Sequence, residues 1–174
     1  MKKLTMLAAV FALLLAGCGN KTKEVTSTGS NGKVTTQKVP DVHFAKTKFL
    51  LHTGLAFGAF HRYIVKPLKA GTFKKGAPGR KKAFIKAGAA GLFIVHELNQ
   101  SRRAALSDDK LRPLAQKVGS LGSKIGDLAS SLKGGALNPA AILGADGAVG
   151  ALGGASKGLG ATIKEHVPPS LGGG

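Results

Sequence analysis

Seven apolar residues, Leu111, Leu114, Val118, Leu121, Ile125, Leu128 and Leu132, recur at alternating intervals of three and four. Side chains at those intervals stack on one face of an α-helix, so the spacing commits this stretch to an amphipathic helix that must bury one stripe. Lys117, Lys124 and Asp127 fall off the stripe. Gly134-Gly135 stops the helix, and Asn138-Pro139 starts another, with asparagine as N-cap and proline at the first helical position. The same spacing then returns in Ile142, Ala145, Val149, Leu152, Ser156, Leu159 and Ile163, before Pro168-Pro169. Two matched stripes joined by a short glycine link predict an antiparallel hairpin over residues 107–169, followed by a disordered tail at 170–174.

The second helix of that hairpin is intrinsically weak. Seven glycines between positions 142 and 164 cost together about 6 kcal/mol relative to alanine, so a partner must hold it.

Upstream, residues 41–106 predict a basic helical hairpin. Asp41 is placed to cap a first helix that runs to Lys66-Pro67. A second helix spans about Arg80 to Leu106. The connector between them, residues 66–82, carries Lys66, Lys69, Lys74, Lys75, Arg80, Lys81 and Lys82 and no acid. The expected fold is therefore all-α: a four-helix arrangement of two helical hairpins.

Charge is distributed unevenly. Residues 41–106 hold 13 Lys/Arg against Asp41 and Glu97, whereas residues 107–174 hold 7 against 5 acids. A polyanion is the natural partner of the basic half, and its seven connector cations are the candidate anion-binding residues. Trp is absent and Tyr63 is the only tyrosine, which argues against an aromatic sugar-stacking surface.

Histidines are the plausible ligand groups. His43, His52 and His61 are nine apart, which turns the helix by about 180° and advances about 13.5 Å per step, so they cannot share one ion. Folding the first helix back on the second brings His52 level with residues 94–96. His52, His96 and Glu97 are then the candidates for a two-histidine, one-carboxylate metal site, or for a haem or small apolar ligand between the hairpins. The competing reading is that these are ordinary structural histidines, with no cofactor. Gly54-xxx-Gly58, Gly122-xxx-Gly126 and Gly150-xxx-Gly154-xxx-Gly158 mark close helix approaches, either in a soluble bundle or in a membrane-embedded hairpin. No nucleophile elbow, phosphate loop, paired catalytic carboxylates or cofactor fingerprint is present, so an enzyme is not expected.

The first twenty residues supply an address. Lys2-Lys3 precede an apolar run from Met6 to Ala16, which ends in small residues and the single cysteine, Cys18. That order marks an export signal. Leu15-Ala16-Gly17-Cys18 resembles the lipobox of bacterial lipoproteins, and the run Phe60–Lys82 resembles small lipoproteins of high-GC Gram-positive bacteria. The lipobox resemblance implies cleavage of residues 1–17, lipidation of Cys18 with diacylglycerol and often a further acyl chain such as palmitate, and anchoring at the outer face of the cytoplasmic membrane, or at the outer membrane of a Gram-negative host. An ordinary cleaved signal and an uncleaved anchor are the rival readings, the latter short of the ~20 residues a span requires. Residues 18–40 then form a flexible tether, with too few apolar groups to fold and a span of about 25 Å.

The expected protein is a lipid-anchored, non-enzymatic component of the cell envelope. Its basic connector contacts anionic lipid or a phosphate-bearing wall polymer. Export removes nucleic acid from the candidate partners.

Overall fold

The computed structural model describes residues 21–28 and 34–168. The chain divides into two units, Met1–Asp41 and Val42–Gly174. In the first, β1 (Thr22–Thr28) pairs antiparallel with β2 (Val34–Pro40) in a register from Thr22↔Pro40 to Thr28↔Val34. This corrects the expected tether. Thr22, Val25, Thr26, Thr28, Val34, Thr35, Thr36 and Val39 are β-branched, and such residues favour a pleated ladder even where few apolar groups are available. Asp41 donates its amide to the Lys21 carbonyl at 2.8 Å, extending the ladder by one rung. It does not cap the first helix, which starts at Ala45 with no side-chain cap.

The second unit is all-helical. It contains α1 (Ala45–Phe60), a π-helical turn (His61–Val65), α2 (Lys66–Lys69), α3 (Arg80–Ser107), a 3-10 turn (Arg112–Leu114), α4 (Ala115–Lys133) and α5 (Pro139–Gly158). In place of a capping side chain, α1 begins after Phe44, which is left-handed at φ 55° and 82 % exposed. Lys66-Pro67 does not end the first helix as expected. In the π turn the Lys66 amide reaches back five residues to the His61 carbonyl. The extra residue in that turn carries the backbone past Pro67, which has no N–H to give the preceding turn, and helix continues to Lys69.

Core packing follows the stripes. Leu111, Leu114, Val118, Leu121, Ile125, Leu128 and Leu132 are all buried, as are Ile142, Ala145, Val149, Leu152 and Ser156 on α5. Helix α3 lies between α1 and α4, and α5 packs on α4 and on the π turn. At the α3–α4 crossing a Cβ on Gly91 would stand 2.4 Å from the Ala129 Cβ, so this close approach depends on glycine. Asn138 Oδ1 accepts from the Ala141 amide at 3.0 Å, the expected N-cap.

The C-terminal hairpin differs from expectation at its end. Helix α5 stops at Gly158, leaving Leu159 39 % exposed. Gly160 adopts φ +71°, and Ala161 donates to the Ser156 carbonyl while Gly160 donates to that of Lys157. This is a Schellman termination, which requires a left-handed residue that glycine supplies without steric cost. Residues 161–168 then run non-helically back over α1 as a strap.

Candidate functional site

The glycine pair Gly54-xxx-Gly58 faces this strap, in place of another helix. A Cβ on Gly54 would lie 2.2 Å from the Lys164 carbonyl oxygen, and one on Gly58 2.3 Å from that of His166. The His166 amide donates to the Gly54 carbonyl at 3.0 Å. The other two spacings are not contact points of this kind. Gly122 and Gly126 leave ordinary room beside Leu98 and Val95, and Gly150, Gly154 and Gly158 open onto free space.

One turn further along the same helix stands His61, the first residue of the π turn. Its Nδ1 is 2.8 Å from Glu165 Oε1 on the strap, and its Nε2 is 2.8 Å from Asp146 Oδ1 on α5. Three segments distant in sequence thus meet on one imidazole. A neutral imidazole has only one N–H, so both contacts are hydrogen bonds only in the imidazolium form. Burial opposes that charged form, but the hydrogen bonds and charges of Glu165 and Asp146 outweigh it and raise the pKa above 6.5. The carboxylates sit on opposite ring edges, so they do not converge on one point.

Beside His61 opens a cleft of about 530 Å³. Arg62, Lys66 and Lys69 supply its cations, Val65 and Val167 its apolar surface, and Glu165 its acid. The sequence places Lys66 and Lys69 only within a basic connector. It gives no signal for Arg62, Asp146 and Glu165, because nothing local links positions 61, 146 and 165.

The rest of the basic connector is the turn between α2 and α3, which holds Lys74 and Lys75, and the first residues of α3, which are Arg80, Lys81 and Lys82. Lys74, Lys75, Lys81 and Lys82 are exposed. Arg80 differs from them, because its Nε donates to the Phe73 carbonyl at 2.9 Å and its guanidinium lies 4.6 Å from the Phe84 ring centroid. It pins the turn to the Phe73–Phe84 pair.

The histidine constellation is realised in part. His52 and Glu97 meet at 2.7 Å across α1 and α3, beside a Thr53–Ser101 hydroxyl contact of 2.6 Å in the core. His96 is exposed, because successive helical residues point about 100° apart and Glu97 takes the inward direction. Among the described residues no group of three His, Cys, Asp or Glu side chains is placed to hold a metal ion, and His52, His96 and Glu97 do not converge on one point. His52 and Glu97 act as a polar cross-link between helices. Cys18 lies outside the described residues. No helix among them is long and apolar enough to cross a membrane. Comparisons with family profiles, curated proteins and solved structures find no match.

Proposed function

We propose that the chain is a lipid-anchored, non-enzymatic protein of the bacterial cell envelope, held through Cys18, whose basic turn contacts anionic lipid or a phosphate-bearing wall polymer. The observation that carries this reading is the contrast among the cations of residues 66–82. Arg80 is engaged in holding the turn, whereas Lys74, Lys75, Lys81 and Lys82 are exposed in a stretch with no acid. Like charges at this density repel, so they weaken the fold that carries them. Near an anionic surface each contributes about 1 kcal/mol of attraction.

The test is sedimentation with anionic vesicles over a salt series. Binding is expected to weaken steeply as the Debye length shrinks below ~10 Å. Replacing Lys74, Lys75, Lys81 and Lys82 by Gln is expected to abolish most of it. If that quadruple variant sediments as fully as the parent, the turn is not the contacting element. The anchor is checked separately, since Cys18→Ala is expected to end incorporation of labelled fatty acid.

A further inference from the structure

We infer that the cleft beside the π turn is a binding site for one phosphate ester, its phosphate held by Arg62, Lys66 and Lys69 and its apolar substituent laid on Val65 and Val167. The inference deepens the anion-contact reading above and rests on its premise that the basic face meets anions, but it assigns a defined pocket to a defined chemical group.

Three observations carry it. First, Arg62, Lys66 and Lys69 are four and three residues apart, so the π turn and α2 present them along one side of the helix, where all three line the cleft. Like charges at such spacing destabilise a helix. None of the three forms an ion pair among the described residues; Arg62 only approaches the Tyr63 ring at 5.6 Å. Second, the acid in the lining, Glu165, is already engaged by His61. Glu165 and Asp146 place two carboxylates on one imidazolium, a cluster of net charge −1 beside three cations, so the site keeps an excess of positive charge for an incoming anion to meet. Third, the volume of about 530 Å³ lies within the range of small-molecule sites, and a mixed lining of a few convergent polar groups on an apolar wall is what such sites use. A phosphate accepts hydrogen bonds from several cations at once, with Arg able to engage it bidentately. Val167, half-exposed at the cleft and backed by the buried Val65, favours an ester over inorganic phosphate. A free ester and the headgroup of an anionic phospholipid share this chemistry.

Tyr63 gives a readout through Arg62, whose guanidinium lies 5.6 Å from its ring. It is the only tyrosine in a chain without tryptophan, and it neighbours Arg62 on the π turn. The full chain is titrated with butyl phosphate, with dihexanoyl phosphatidic acid, with butanol as the uncharged control, and with phosphatidic acid or phosphatidylcholine vesicles, following tyrosine emission. A saturable change with butyl phosphate, absent with butanol, is expected. Replacing Arg62, Lys66 and Lys69 by Gln should weaken it at least about tenfold, and Lys66→Gln or Lys69→Gln alone should weaken it less, with helix content by circular dichroism unchanged. The conservative Lys66→Arg should retain binding. A response to dihexanoyl phosphatidic acid but not to butyl phosphate supports the site and identifies the lipid as the source.

Equal affinity in the triple Gln variant, or no saturable response to either ester, overturns the inference. The two readings fail separately. Vesicle sedimentation that depends on Lys74, Lys75, Lys81 and Lys82 with no Tyr63 response removes the cleft and leaves the surface contact. A Tyr63 response that needs Arg62, Lys66 and Lys69, in a chain whose sedimentation ignores the turn lysines, keeps the cleft and removes the surface contact.

Discussion

His61 concentrates the tertiary information of this chain in one ring. Its two nitrogens hold Asp146 of α5 and Glu165 of the strap at 2.8 Å each, and its neighbour Arg62 adds a cation on the same element. Desolvation lowers the pKa and the two carboxylates raise it, with the net result above 6.5. A folded-state pKa raised above the unfolded one adds stability that is present in full below the unfolded value and is lost as pH rises through the folded value. The melting temperature is therefore expected to fall as pH climbs from about 6.5. His61→Gln should lower it at about pH 5.5 and remove that part of the pH dependence, because Gln cannot carry the charge. His52, paired with Glu97, remains in both proteins, so thermal melts of the two compared across pH isolate His61. An unchanged profile in the variant would sink the assignment. At the same scale His96 shows where spacing arguments stop: the hairpin alignment of His52 with residues 94–97 is legible in the sequence, but which of two adjacent side chains turns inward depends on helix phase.

Among the elements, α4 and α5 make an instructive pair. Both carry the three-four stripe and both bury it, on α5 as far as Ser156, so periodicity alone places their inner faces. Their outer faces differ. On α5, Gly144, Gly147, Gly150, Gly154 and Gly158 have nothing within 4 Å of where a Cβ would stand. Those glycines therefore weaken the helix without enabling any approach among the described residues, contrary to the expectation that the spacing Gly150-xxx-Gly154-xxx-Gly158 marks a contact. Alanine at Gly147 or Gly150 is expected to stabilise the protein by about 0.5–1 kcal/mol each in urea denaturation, since it removes unfolded-state entropy and meets no neighbour. A loss of stability would mean that the face is packed against something. Gly91 is the contrasting case: its hydrogen is all that fits against Ala129, and Gly91→Ala must push α3 and α4 apart.

For the molecule as a whole, the strap closes the helical unit. Residues 161–168 cross α1 at Gly54 and Gly58, donate an amide to the Gly54 carbonyl, and supply Glu165 and Val167 to the cleft. Gly58→Ala sets a methyl against the His166 carbonyl, a backbone atom that can yield only by moving the strap. The expected cost is about 1–3 kcal/mol, partly offset by alanine's better helix propensity of under about 1 kcal/mol. Limited proteolysis within residues 161–168 should accelerate in the variant while α1 to α4 stay protected. Equal cleavage rates in variant and parent would show that the strap is not seated on this pair.

Local pattern is enough to place the helices, though not all of their ends. The stripes of α4 and α5, the Asn138-Pro139 start, the Gly134-Gly135 stop and the α1–α3 hairpin all rest on interactions within a few residues, or on apolar faces that have only one way to be buried. The β1–β2 hairpin escapes a reading that weighs low hydrophobicity above β-branched content. Long-range placement needs the folded chain. No periodicity links positions 61, 146 and 165, and the partner of Gly54 and Gly58 is a non-helical segment remote from them in sequence. Where a helix lies is written in neighbours along the chain, even where packing must hold it, whereas the His61 cluster and the cleft beside it exist only because packing α5 and the strap against the π turn satisfies charges that lie far apart in sequence.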